Sequence, residues 1–315
     1  MEHEALKTIY GPVPSRRLGL SLGIDPFTQK TCTHNCVYCQ LGRAPTVSAE
    51  STIDGVNPDL VKSELEEFFA SGGKADYITF SGSGEPTLWR HIGELIKFIK
   101  EEFAEKKVCV LTNGTTLWRK EVREALMLAD LVVPTVAAAD RKTYIKLHRP
   151  HLSATFERHI EGVKKFAEVF GGSIWAEVML VAGINDSDEH LRKLAELLDG
   201  IPFEFIDINL PIRPPAESWV KPPEMERVEF ACKLFGERCR VVGKFRAVQP
   251  KVERLANLAE KVLEILMRRP EKLENIADAL AVTYDEARKA IDALIAKKLV
   301  TKTTNDYFKL TRDEG

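Results

Sequence analysis

Leu18-Gly19-Leu20-Ser21-Leu22-Gly23-Ile24, with Cys32-Thr33-His34-Asn35-Cys36-Val37-Tyr38-Cys39 close behind it, is the stretch on which the fold turns. Its first part alternates apolar side chains with glycine and serine, the period of two of a strand with one buried face. Its second part puts three cysteines within eight residues, poor spacing for disulfides and good spacing for a metal. A strand that runs directly into a cysteine loop places chemistry at the strand's carboxyl end.

Working outward, the same unit repeats. Asn57-Pro58 is a helix start, a capping side chain followed by proline at the first helical position, and Val61, Leu65, Phe68 and Phe69 mark one face. Strands are expected at Tyr77 to Phe80, Lys107 to Leu111, Leu131 to Val133, Ile174 to Val181 and Phe203 to Leu210. Between them lie amphipathic helices carrying Ile92, Leu95, Ile96 and Ile99; Val122 to Leu128; Phe156, Ile160, Val163 and Phe166; and Leu191, Leu194 and Leu197, the last with a capping box at Asp186 and Glu189. Strands alternating with helices make a parallel sheet, either a partial barrel or an open doubly wound sheet, with functional loops at the carboxyl ends.

The alternation ends by about Val248, so the chain divides into residues 1–248 and 251–315. The second part offers helices at Leu255 to Met267, Leu273 to Leu280 and Tyr284 to Lys297, then a hairpin of Leu299 to Thr301 with Tyr307 to Leu310. Three helices and a hairpin resemble a winged helix, a small α+β domain.

The 315 residues, 44% hydrophobic, fill an ordinary core, and no apolar run approaches the roughly 20 residues of a membrane span. The acidic start Met1-Glu2-His3-Glu4 is unlike a secretory signal, and a cytoplasmic protein is expected. A net charge of −2 gives no overall pull towards nucleic acid. Cys109, in an apolar run, reads as a core residue; Cys232 and Cys239, seven apart, are either structural or a second ligand pair.

Three thiolates on one short loop can hold three irons of a cubane cluster and leave the fourth open to a small molecule; the competing reading is zinc, completed by His34 or a distant cysteine. Gly82-Ser83-Gly84-Glu85-Pro86 follows the second strand, where glycines allow close backbone approach and bare carbonyls can accept from an ammonium group. Leu111-Thr112-Asn113-Gly114 and Pro134-Thr135 end the third and fourth strands, and Ala182-Gly183-Ile184-Asn185-Asp186 follows the fifth.

The C-x3-C-x2-C spacing and the Gly-Glu-Pro turn one unit later resemble the radical S-adenosylmethionine superfamily. The resemblance implies a partial (β/α)6 barrel, with a 4Fe-4S cluster on Cys32, Cys36 and Cys39 and S-adenosylmethionine chelating the open iron. It implies cofactor contacts from Gly82, Ser83, Gly84 and Glu85 to the methionine part, Asn113 and Thr135 to ribose and carboxylate, and Tyr38 and Gly183 to adenine. The activity implied is one-electron cleavage of the cofactor to a 5'-deoxyadenosyl radical that takes hydrogen from a substrate, fed by an external electron donor.

Tyr10-Gly11-Pro12-Val13-Pro14-Ser15-Arg16-Arg17-Leu18-Gly19, Leu147-His148-Arg149-Pro150 and Arg213-Pro214-Pro215-Ala216-Glu217 resemble the branch related to the tRNA wyosine-base synthases, although no cysteine precedes Cys32 to supply their second cluster. Arg16, Arg17, Arg149 and Arg213 are expected to gather at the barrel mouth and bind an anionic substrate. A tRNA base, a protein side chain and a small phosphorylated metabolite are the substrate classes in view. For the C-terminal part, whose third helix opens Tyr284-Asp285-Glu286, a protein-binding or substrate-covering role is expected. The competing class is an iron-sulfur sensor that binds DNA through that part.

Overall fold

A computed structural model describes residues 8–15, 17–242, 258–268, 270–280, 282–303 and 305–311. Arg16, the expected boundary at 248 to 251 and the expected helix start at Leu255 lie outside these residues.

Eight strands form one sheet in sequence order: β1 (Ile9–Ser15), β2 (Gly19–Ile24), β3 (Tyr77–Phe80), β4 (Lys107–Thr112), β5 (Leu131–Pro134), β6 (Ser173–Met179), β7 (Phe205–Asn209) and β8 (Cys239–Val241). β1 pairs antiparallel with β2, and every later neighbour pair is parallel. The crossovers are α1 (Pro58–Ala70), α2 (Ile92–Glu102), α3 (Lys120–Ala125), α4 (Arg141–His148) with α5 (Phe156–Val169), α6 (Asp188–Asp199) and α7 (Met225–Phe235).

β2 to β7 are the six strands read from the sequence; β1 and β8 extend the sheet at its two edges. The helices bury the faces their periodicity marks, such as Val61 and Leu65 on α1 and Leu95, Ile96 and Ile99 on α2, against the outer face of the sheet. Asn57 caps α1 as its sequence predicts, its side chain accepting from Asp59 N. The expected Asp186–Glu189 box is displaced by one residue: Ser187 caps α6 by accepting from His190 N, and Asp186 Oδ1 instead accepts from Gly183 N at 2.8 Å.

One long-range contact decides between a barrel and an open sheet. Arg17, in the β1–β2 turn, reaches across to Glu177 on β6 (2.8 Å) and to Asp207 on β7 (3.7 Å), and Arg240 on β8 meets Asp207 at 2.7 Å. A flat sheet would hold strands so far apart in order many ångströms from one another, since neighbours are spaced about 4.8 Å. The sheet therefore curls into a partial barrel, with Leu18, Cys109, Leu131, Val133 and Trp175 packed as a second, inner cluster.

The C-terminal elements are α8 (Leu258–Arg268), β9 (Glu271–Lys272), α9 (Leu273–Leu280), α10 (Tyr284–Ala296), β10 (Val300–Lys302) and β11 (Tyr307–Leu310). The three helices and the hairpin appear where the sequence puts them, and β9 adds a third strand in the order β10-β11-β9. They enclose their own apolar cluster, including Val262, Leu266, Ile276, Ile291 and Phe308. Glu271, 2% exposed, pairs with Arg213 at 3.1 Å, and Tyr307 Oη donates to the carbonyl of Ile212 at 2.5 Å. Among the described residues no helix is long and apolar enough to cross a membrane.

Candidate active site

Between Ile24 and Pro58 the chain forms no regular element, so the cysteine loop takes its shape from neighbours. Thr31 N donates to Ser83 O (2.8 Å) and Glu85 N to Thr31 O (2.9 Å), tying the loop to the glycine turn after β3. Val37 N donates to Leu147 O (3.0 Å) and Asn35 N to His148 O (2.9 Å), tying it to the last turn of α4.

Cys32, Cys36 and Cys39 are free thiols at partly exposed positions. Burial pushes the Cys32 thiol up to about 12, with Glu85 adding to the rise, and burial followed by Cys32 and Cys39 holds Cys36 well above its ordinary value. Thiols so placed ionise when a cation takes them, which is the chemistry of a metal centre. Polar hydrogens on His34 N and Asn113 Nδ2 face Cys32 Sγ at 3.4 Å, and His148 Nδ1 lies 3.4 Å from Cys36 Sγ. Such contacts offset thiolate charge and belong to the outer shell of iron-sulfur sites. The donor set thus fits a cluster.

His34, the ligand a zinc site would add, has one ring nitrogen engaged and the other, Nδ1, buried without a hydrogen-bond partner among the described residues. Its Nε2 is 2.8 Å from Tyr144 Oη, and its ring stacks on His148 at 4.8 Å with an interplanar angle of 20°. The ligand atoms of His34, Cys36 and His148 do lie within 4.8 Å of one another.

The glycine turn follows β3, and its glycines allow a close approach within the protein itself. A Cβ on Gly84 would stand 1.8 Å from Thr31 O, and one on Gly82 would stand 2.4 Å from Asp25 Cγ. The close contact is with the protein's own cysteine loop and with Asp25. That carboxylate, 1% exposed, accepts from Ser83 N (2.9 Å) and Ser83 Oγ (2.7 Å). Glu85 Oε1 accepts from Thr87 N, Thr87 Oγ1 and Thr112 Oγ1, and Oε2 from Asn113 N, so this buried carboxylate fixes the turn to the end of β4.

Asn113 and Thr135 stand directly after β4 and β5, and Gly183 stands in the turn after β6, so these three lie, with the glycine turn, at the carboxyl end of the sheet. Their immediate roles differ. The Asn113 amide donates to Cys32 Sγ and to Thr33 Oγ1 (2.8 Å), while Thr135 N donates to Thr112 O (3.0 Å). Gly183 is exposed, and its carbonyl accepts from Lys146 Nζ at 3.2 Å. Tyr38 sets its ring edge-on to His148, with Tyr38 Oη 3.3 Å from His148 Nδ1.

The described arginines do not gather as one anion site. Arg17 and Arg213 line a cavity of about 200 Å³ inside the barrel, with Tyr10, Gln40, Gly82 and Asn209 also in its wall. Each already has a carboxylate partner, as does Arg149, which pairs with Glu217 outside that cavity. Sequence separation hides these pairs; the nearest, Arg213–Glu271, spans 58 residues.

Glu217 also takes a two-pronged contact from Arg43, Nε to Oε1 and Nη2 to Oε2, both at 2.7 Å, while Glu217 N donates to Val37 O. Arg43 and then Arg149 hold its carboxyl down, to about 2 from 4.5. A depressed carboxyl stabilises the fold above its unfolded pKa and ceases to do so as pH falls through the folded one. The stability gap between the protein and its Glu217→Gln variant should therefore be full at pH 7 and shrink from pH 4.5 to about 2. Denaturant midpoints across that range check it; a gap constant with pH would remove the ion pairs as its cause.

Cys109 is fully buried, as expected for a core residue. Cys232 on α7 and Cys239 on β8 are joined as a disulfide, with Cα atoms 5.4 Å apart, and so are paired with each other rather than with the loop cysteines.

The sequence pattern described as "Radical SAM superfamily" matches residues 27–198. A UPF0026 protein of Methanocaldococcus jannaschii is 30% identical over 293 residues, covering 90% of each chain. A protein of Brachyspira hyodysenteriae named GTPase Obg is 34% identical over 296 residues, which are 93% of this chain but 42% of that one, so this chain spans less than half of that relative. The structure of TYW1 with a lysine-pyruvate adduct bound superposes with a TM-score of 0.52 at 17% identity, over 70% of this chain and 74% of that one, a likeness of fold.

Proposed function

The chain belongs to the radical SAM superfamily, and from that membership we propose that it is an enzyme in which Cys32, Cys36 and Cys39 hold a 4Fe-4S cluster beside a bound S-adenosylmethionine. The observation that carries the reading is the meeting of three free thiols on one loop with a glycine turn hydrogen-bonded to that loop. Bound together, the two groups would supply one-electron cleavage of the cofactor's carbon–sulfur bond and removal of a hydrogen atom from an unreactive carbon, the electron coming from an external donor.

In this reading the residues divide their work. Gly82, Ser83 and Gly84 present main chain to the methionine part. Glu85 and Asp25 keep that main chain in place, and Asn113 acts through Cys32. Thr135, Gly183 and Tyr38 frame the ribose and adenine. The substrate enters the inner cavity between Arg17 and Gly82. At about 200 Å³ it has the room of roughly six or seven waters, enough for a small polar molecule, a protein side chain or one extruded tRNA base.

The C-terminal elements, read as a winged-helix-like domain over 251–315, cover this cavity. Glu271 and Tyr307 grip residues 212 and 213, and Arg213 is part of the cavity wall. The acidic start of α10 supports this role over nucleic-acid binding: Thr283 and Glu286 form a capping box, so one of its carboxylates is spent at the helix end.

Anaerobically purified protein, loaded with iron and sulfide and given dithionite with S-adenosylmethionine, is expected to release methionine and 5'-deoxyadenosine in equal amounts. Mass spectrometry reads both. A fully loaded protein that makes neither, alone or with a cell extract as substrate source, would reject the proposal.

A further inference from the structure

We infer that His148 is a positioning residue whose Nδ1–H donates to the Cys36 sulfur and thereby raises the reduction potential of the cluster, an inference that rests on the cluster proposed above. The geometry is over-determined. His148 closes α4, whose main chain at Leu147 and His148 already grips Val37 and Asn35 on either side of Cys36. Its ring stacks on His34 at 4.8 Å, meets Tyr38 edge-on at 5.9 Å and leans on Tyr144 at 5.2 Å. With neighbours on those sides the imidazole stays facing the sulfur.

The proton's place follows from the partners. A neutral imidazole carries a single N–H, on one ring nitrogen or the other. Nε2 is buried with no hydrogen-bond partner among the described residues, whereas Nδ1 lies 3.4 Å from Cys36 Sγ and 3.3 Å from Tyr38 Oη. An unpaired buried N–H costs more than an unpaired lone pair, because a donor has no second way to be solvated. The proton belongs on Nδ1, and a metal-bound thiolate is the stronger acceptor there.

A hydrogen bond to a ligating sulfur draws charge off it, and the reduced cluster, with one more electron, gains more than the oxidised one. Removing the donor therefore makes the cluster harder to reduce. Asn113 and His34 N serve Cys32 in the same way, so the charge on two of the three cysteines is set by the protein.

The test compares wild type, His148→Leu and His148→Asn by redox titration followed by electron paramagnetic resonance, with iron and sulfide counted in each. Leucine keeps bulk without a donor; asparagine carries an N–H at the atom that Nδ1 occupies. At a fixed solution potential the ratio of reduced to oxidised cluster should fall about tenfold in His148→Leu, equal to about 59 mV for one electron, and return most of the way in His148→Asn. Full clusters with equal potentials in wild type and His148→Leu, or the same shift in both variants, would overturn the inference. Protein labelled with ¹⁵N in the histidine rings gives a reading without any variant: hyperfine coupling to one ring nitrogen is expected in the reduced wild type, and its absence counts against the inference. A wild type that binds no iron and sulfide would instead end the proposal on which this rests.

Discussion

Replacing Cys36 by alanine should abolish iron and sulfide loading and leave no detectable 5'-deoxyadenosine, while the protein stays folded. Cys36 is the middle member of the triad in sequence, and burial followed by Cys32 and Cys39 raises its thiol. With it gone, two thiolates and a ring of donors remain, and a cubane that needs three protein ligands loses a corner rather than a share of its affinity. The fold survives because the loop is held by main-chain bonds at Thr31, Asn35 and Val37, none of which uses the Cys36 side chain. Cys109→Ala is the matched control: that thiol is fully buried inside the barrel, and its loss should alter packing and leave loading intact. Iron content, visible absorbance and product release are the measurements. A Cys36→Ala protein that still loads and turns over would refute the assignment of the triad, and equal loss in Cys109→Ala would point to a general failure of folding.

The sheet was legible in the sequence because the interior strands of a parallel sheet are apolar on both faces and are spaced by helices with clear stripes. β1 and β8 escaped for physical reasons. β1 contains Pro12 and Pro14, which only an edge strand tolerates, and β8 is three residues long. α4 escaped because eight residues give too few turns for a periodicity to show, with Tyr144, Leu147 and His148 its only buried positions. Curling of the sheet rests on Arg17 meeting Glu177 across the barrel, a pairing that no local pattern announces.

In the site, residue types were readable and their partners were not. Glycine at 82 and 84 follows from sequence as a need for close approach, yet what approaches is Thr31 and Asp25. Asn113 is marked by its place at the end of β4, while its amide contacts with Cys32 and Thr33 are set by another unit. His148 has no local signal of its role, because its sulfur contact spans 112 residues. Asp25 left one signal, its place at the end of β2 one residue before a proline. The general lesson is that the sequence marks strand ends as functional while the contacts that shape them come from other units.

Glu85→Ala is expected to be the most destabilising single change in the turn, by about 3 kcal/mol, and to weaken S-adenosylmethionine binding with it. Glu85 is 1% exposed and accepts four hydrogen bonds. Two of the donors, the Thr112 and Thr87 hydroxyls, can turn to other acceptors, and Thr87 already lies beside Thr116. The other two, Thr87 N and Asn113 N, are fixed main chain, and each left unpaired costs about 1–3 kcal/mol. Part of that loss is offset, since burial disfavours the Glu85 carboxylate and raises its pKa despite its four donors. Roughly 3 kcal/mol in a unit of this size lowers Tm by about 6–12 °C. Glu85→Gln separates positioning from contact. Gln keeps the oxygen that serves Thr87 and Thr112 and sets an amide nitrogen against Asn113 N, so it should lose roughly half as much stability. If Glu85 only holds the turn, affinity measured by titration calorimetry falls in step with Tm across Glu, Gln and Ala. If its charge meets the cofactor's ammonium, Gln loses nearly all affinity while its Tm falls only about half as far as that of Ala, and that result would move Glu85 from holding the turn to binding the cofactor.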